Sequence, residues 1–224
     1  PDRMSPSAPL RAAASGLLLL GWVVASHLGS TGRGPMDLHV AVAVAPFAAA
    51  LAVAFARLAR PALRWLAWLA AAALLWGLWP WLRGEVALLY YLQHLGIHLA
   101  LAALFGASLL GPGDALVTRL ARLVHGAELS PGHLRYTRQV TAAWTAFFVL
   151  NALVSTALFL FAPRGLWSLH ANVLTGPLVG LMFLLETLWR RLALPPHERP
   201  SLSAVLRAWR ADSERRQSAR GQRP

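Results

Sequence analysis

RYTRQVTAAWTAFFVLN, residues 135–151, runs from two arginines and two threonines straight into an apolar stretch. Read as the start of a membrane helix, it makes Arg135 and Arg138 the interfacial end and everything from Val140 onward a span. The rest of the chain takes the same reading. Of 224 residues, 57% are hydrophobic and 13% charged, with a mean hydropathy of +0.50. Apolar runs of about 17 to 25 residues, the length needed to cross a bilayer, fall near 12–28, 37–56, 62–82, 86–110, 139–162 and 166–189. The expected fold class is therefore an all-α, polytopic membrane helix bundle with six transmembrane helices. Residues 1–11 form an N-terminal segment and 190–224 a basic tail.

All the basic charge is arginine, giving a formal net charge of +12. In a soluble protein that balance would suggest nucleic acid, but here the arginines sit between apolar spans, so membrane topology accounts for them and no nucleic-acid partner is expected. Eighteen arginines fall in the N-terminus, the second and fourth connections and the tail. Arg33, Arg83 and Arg164 stand alone in the other three connections. Positive charge stays on the cytoplasmic side, so both termini are expected there. Arg11 followed by an apolar core and the small residues of VVASHLG also fits a cleaved signal peptide, and that alternative stays open. Trp79, Trp81 and Trp167 fall at outer span ends and Trp65 and Trp189 at inner ends, as interfacial anchors do.

Two cytoplasmic pieces look amphipathic. Over 114–124, Asp114 is expected to cap a short helix with Leu116, Val117, Leu120 and Leu123 on one face, Arg119 and Arg122 opposite, and Gly126 as its stop. In the tail, Leu202, Val205, Leu206 and Trp209 make a second apolar stripe. Both read as helices on an anionic inner leaflet.

On a helix, Thr137, Thr141, Trp144, Phe148, Asn151 and Ser155 share one stripe, spaced by three and four. The sixth span repeats the pattern with Ser168, Asn172, Thr175, Val179, Met182 and Glu186. A turn of only a few residues joins the two spans, so they are antiparallel neighbours and their polar stripes are expected to face one another or a shared cavity. Counting outward from Arg164 places Glu186 level with Ala142. That predicts a Glu186–Arg138 pair, with Arg190 at i+4 as the competing partner. An unpaired carboxylate at that depth would cost about several kcal/mol.

Tyr90, Tyr91, Gln93, His94 and His98 enter the fourth span from the outer side. His94 and His98 lie at i and i+4 on one face, a spacing that can chelate a metal, and His170, His27 and His39 lie at comparable depth. No HExxH or carboxylate cluster accompanies them, so polar helix packing is the expected role and no cofactor is implied. With no cysteine in the chain, disulfides and thiolate catalysis are excluded.

Three runs, FGASLLGPGDALVTRLARL, RYTRQVTAAWTAFFVLN and LWSLHANVLTGPLVGLMFLLETLWRR, resemble an uncharacterised family of small bacterial inner-membrane proteins loosely labelled ketosynthase membrane proteins. Its members accompany aryl polyene or xanthomonadin-type lipid biosynthesis systems. The similarity covers about 105–191, through Phe105, Ser108, Leu109, Arg135, Tyr136, Thr137, Arg138, Val140, Thr141, Trp144, Phe147, Phe148, Asn151, Trp167, Gly180, Phe183 and Glu186. This chain has His170, Ala171 and Asn172 where the family tends to Tyr-Asn-Gly. A thiolase-type ketosynthase needs a cysteine nucleophile, so that chemistry is closed to this chain.

The resemblance implies an accessory protein of acyl-chain or polyene-lipid synthesis, with the bilayer, membrane-associated enzymes or an acidic acyl carrier protein as partners. A small lipid flippase, or an enzyme using His94, His98 or His170, are the other expectations. The polar seam offered for ligand or structural duty comprises Arg135, Tyr136, Arg138, Thr141, Trp144, Asn151, Ser155, Trp167, His170, Asn172 and Glu186. Oligomeric state is not written in these residues.

Overall fold

The computed structural model describes residues 7–126 and 128–195. The expected amphipathic stripe at Leu202–Trp209 lies outside the described residues. The elements in chain order are α1 (Ser7–Ser30), α2 (Met36–Ala56), α3 (Pro61–Gly84), α4 (Val86–Leu110), α5 (Leu116–His125), α6 (Pro131–Phe161), α7 (Arg164–Ser168), a π-helical turn (Leu169–Leu174) and α8 (Thr175–Ala193). Six helical stretches are long and apolar enough to cross a membrane, the last made of α7, the π turn and α8 together. No strand occurs among the described residues.

Helix ends follow local chemistry. Pro61 opens α3 at a position whose N–H has no intrahelical partner in any case. Gly126, at φ +91°, stops α5 as expected. The fifth span starts eight residues earlier than the apolar run suggests. Pro131 sits at N1, and the Ser130 hydroxyl accepts the His133 N–H at 3.1 Å, capping a polar first turn that a hydropathy reading passes over.

The chain divides into two compact units. One comprises the described residues up to Leu95 together with Val154–Gly176, the other Gly96–Leu153 together with the described residues from Pro177. The first packs Val40, Ala43, Leu82, Val86, Tyr90, Phe159, Trp167 and Ala171 into one core. The second packs Ala102, Tyr136, Val140, Trp144, Phe148 and Leu194. Leucines elsewhere are widely exposed, among them Leu17 to Leu20 on α1 and Leu153 and Leu160 on α6. In water such a surface would collapse or aggregate; against acyl chains it costs nothing, and this is the arrangement a lipid-facing surface requires.

In the first unit α1 and α2 approach closely at Gly29. A Cβ there would come within 2.8 Å of the Cβ and Cγ of His39, which is buried and bonded through Nε2 to the Arg33 carbonyl at 2.8 Å. His39 belongs to a packed helix face, so it has no room to retreat. Gly29→Ala is expected to destabilise the purified protein by about 1–3 kcal/mol, as overpacking does. Gly16→Ala, where a Cβ meets nothing within 4 Å, should leave the thermal midpoint in detergent unchanged. Equal midpoints for the two variants would show that the approach at Gly29 is not tight.

The expected capping of α5 by Asp114 is not what the structure shows. Ala115 is the N-cap and makes no side-chain cap bond, while Asp114 bonds Arg122 Nε at 2.6 Å. The helix is capped from its neighbours instead. The Ser108 hydroxyl of α4 accepts the Leu116 N–H at 2.9 Å, and the Thr141 hydroxyl of α6 accepts the Val117 N–H at 3.2 Å. Thr118 and Thr137 share a hydrogen bond of 2.7 Å and are both buried. A polar face therefore holds α5 to α6, while Leu120 and Leu123, each 53% exposed, point outward. A water-soluble helix would do the reverse; an interfacial helix with its leucines in the acyl layer does this.

Candidate functional site

The fifth-span stripe exists, since Thr137, Thr141, Trp144, Phe148, Asn151 and Ser155 are all buried. Its partners are divided, however, rather than supplied by the sixth span alone. Thr137 and Thr141 serve α5, and their hydroxyls also donate back to the His133 and Thr137 carbonyls at 3.0 and 2.8 Å. Trp144 is enclosed by aromatic rings, including Phe183 with centroids 4.7 Å apart and Phe148 at 5.5 Å. Asn151 donates to the Phe147 carbonyl one turn back at 2.9 Å, and its Oδ1 accepts no bond among the described residues. Ser155 accepts the Trp167 indole N–H at 3.0 Å.

Trp167 is thus no interfacial anchor. It is 0% exposed, edge-on to Phe159 with centroids 5.2 Å apart. It sits near a span end in sequence, yet the Pro163 turn folds it inward against α6. Trp65, Trp81 and Trp189 are exposed, as anchors should be.

Around Glu186 the second unit holds its most elaborate polar cluster. The Glu186 side chain is only 8% exposed. Arg190 meets it through Nη2, 2.6 Å from Oε2 and 2.7 Å from Oε1, and through Nε, 3.0 Å from Oε1. The Tyr136 hydroxyl donates to the same carboxylate and lies 3.4 Å from Arg190 Nε. The expected Glu186–Arg138 pair is overturned. Arg138 is exposed and donates to the Leu109 carbonyl at 2.9 Å. Two residues separate Arg138 from Tyr136, which on a helix is about 200° of rotation, so if Tyr136 faces α8 then Arg138 turns away. Arg190 lies one turn along the same helix as Glu186 and reaches it without any inter-helix alignment. Arg135 is exposed and makes no side-chain bond among the described residues.

Beside this cluster lies a cavity of about 230 Å³ lined by Gln139, Val140, Ala143, Met182, Leu185, Glu186 and Trp189. Five of its walls are apolar, and Glu186 supplies the charged one. Met182 and Glu186 belong to the stripe expected for the sixth span. Val140 and Ala143 do not belong to the threonine stripe; they continue the row that Tyr136 begins. That adjacent row was legible only as ordinary apolar residues.

The first unit carries its own polar chain. His27 Nδ1 lies 2.9 Å from the Ser168 hydroxyl, and Asn172 Nδ2 donates to Ser168 at 3.0 Å and to Ser30 at 3.3 Å. His94 Nε2 lies 3.0 Å from the Thr175 hydroxyl, and the His94 and His170 rings meet edge to face at 5.8 Å. The π turn creates this geometry. Its wider winding lets the His170 carbonyl accept both the backbone N–H and the hydroxyl of Thr175, five residues on. His98 lies in the second unit with its ring edge-on to Phe148 at 6.1 Å.

The i, i+4 histidines are therefore each engaged in packing of their own unit. No group of three or more His, Asp or Glu side chains converges among the described residues. His27 is visible in sequence only as one of several histidines at similar depth, and Ser30 and Thr118 carry no signal there, since polar residues near helix ends are common and give no partner away.

Six helices long and apolar enough to cross a bilayer define the class: a multi-pass α-helical membrane protein. Comparisons with protein-family models, with curated proteins and with solved structures find no match. The functional reading rests on the residues themselves.

Proposed function

We propose that this chain is a non-enzymatic accessory protein of a bacterial inner membrane that holds the apolar chain of an amphiphilic intermediate. The cavity beside Glu186 carries this reading. It is walled by Val140, Ala143, Met182, Leu185 and Trp189, and its lining includes Glu186, whose carboxylate Arg190 and Tyr136 hold in place. An apolar slot suits an acyl or polyene chain. An aqueous transport path would need polar walls along its length, so the lining favours holding over conducting. The resemblance of 105–191 to an uncharacterised family whose members accompany aryl polyene systems is in keeping with the same kind of cargo. The arginine-rich end would recruit an acidic acyl carrier protein or a membrane-associated enzyme of the pathway.

The reading is tested by filling the slot. Met182→Trp, in protein purified with its native lipids, is expected to lower the amount of a specifically co-purifying amphiphile by about tenfold while leaving the thermal midpoint within a few degrees. An unchanged lipid profile with an intact fold would remove the proposal. So would deletion of the gene without effect on the products or membrane attachment of an acyl-chain or polyene-lipid pathway of the same cell.

A further inference from the structure

The α4–α5 corner holds a second pocket, of about 370 Å³, whose walls include Leu104, Ala107, Gly111, Gly113, Asp114 and Arg119. Its charge is unbalanced. Asp114 is engaged by Arg122 at 2.6 Å, while the Arg119 side chain is exposed and makes no ion pair or hydrogen bond among the described residues. Backbone is accessible as well. A Cβ at Gly113 would meet nothing within 4 Å, and at Gly111 only the Ala107 carbonyl oxygen at 3.9 Å. The Gly113 and Asp114 amides make no hydrogen bond among the described residues, and the Ser108 and Thr141 hydroxyls are taken by the Leu116 and Val117 amides further on. On the other side the pocket opens onto apolar surface at Leu104, which is 52% exposed.

A free guanidinium, two free amides and an apolar wall meet at one corner. The bonds of α5 to Thr137 and Thr141 set that corner within the first turns of the arginine-rich end of α6. We propose that it is a headgroup site for an anionic phospholipid. The phosphodiester takes Arg119 and the Gly113 and Asp114 amides, and an acyl chain lies against Leu104 and Ala107. Bidentate guanidinium contact and backbone N–H groups are the donors that phosphate oxygens select, and an arginine facing an anionic leaflet adds to the attraction. The site is separate from the cavity at Glu186, and its failure would leave that reading standing.

The test uses the full chain in a neutral detergent, with phosphatidylglycerol or phosphatidylcholine bound and counted by native mass spectrometry. Phosphatidylglycerol is expected to bind with a preference of about tenfold over phosphatidylcholine, and Arg119→Gln to remove most of that preference. Arg64→Gln, which neutralises an exposed arginine at the start of α3, should keep it. Gly113→Val, which places a side chain over the amides, should lower binding as Arg119→Gln does, with the thermal midpoint as a check on folding. Equal losses in Arg119→Gln and Arg64→Gln would reduce the effect to diffuse charge and overturn the site. Displacement of the lipid by inorganic phosphate at equal concentration would also overturn it, since the acyl contact would then contribute nothing.

Discussion

Arg190→Ala is expected to destabilise the protein by about 3 kcal/mol or more, the cost of leaving a nearly buried carboxylate without its cation. Glu186 has few alternatives. Its side chain is 8% exposed, Tyr136 offers one hydroxyl, and the remaining walls of its cavity are Gln139 and apolar side chains. Glu186→Gln should cost far less, because Arg190 is 31% exposed and can turn its guanidinium toward the headgroups. The double variant Arg190→Ala/Glu186→Gln should recover most of the loss, since no charge is then stranded. Thermal unfolding of the three variants in one detergent measures the cycle. A Glu186→Gln loss as large as that of Arg190→Ala would show that the pair itself stabilises the fold, and that the loss in Arg190→Ala is not the cost of a stranded charge.

The second large effect is expected at Trp167. It is fully buried, packs its ring against Phe159 and Tyr91 at centroid distances of 5.2 and 6.3 Å, and donates its N–H to Ser155. Trp167→Ala should cost about 3–5 kcal/mol through lost contacts and the cavity left behind. Trp167→Phe keeps most of the volume but leaves Ser155 without its donor, and should cost about 1–2 kcal/mol. Ser155→Ala in the Trp167→Phe background should then add little, because the partner is already gone. Comparable midpoints for Trp167→Ala and wild type would mean that the tryptophan is an exposed anchor after all.

These two sites show how far linear reasoning reaches. Glu186 is conspicuous in sequence because a carboxylate in an apolar run must find a partner, and Arg190 is in view as the i+4 candidate. Arg138 matches Glu186 in depth along the helix axis but not in rotation about it, so it bonds the Leu109 carbonyl while Arg190 takes the carboxylate. Trp167 is conspicuous for the opposite reason: tryptophans at span ends are usually interfacial, and only the turn at Pro163 and the position of Ser155 bring this one inside. In the same way Asp114 has the right chemistry for a helix cap, but the helix starts one residue later, with Ala115 at the cap, and the Asp114 carboxylate takes Arg122 instead.

The sequence by itself determined that the chain is helical, that six stretches suit a bilayer, where most of them begin and end, and that the polar residues of the last two spans collect on stripes. Those properties depend on composition and on the 3.6-residue period, which any single helix displays without neighbours. Tertiary structure decided which hydroxyl caps α5, which cation Glu186 takes, that the π turn joins His170 to Thr175, and that a cavity remains between Val140 and Met182. The cap and the cavity turn on the rotation and approach of one helix against another, whereas the Glu186–Arg190 pair and the π turn are settled within one helical segment by which face each side chain takes. Side chains several ångströms long magnify small rotations into different partners, and the one-dimensional pattern holds no record of them.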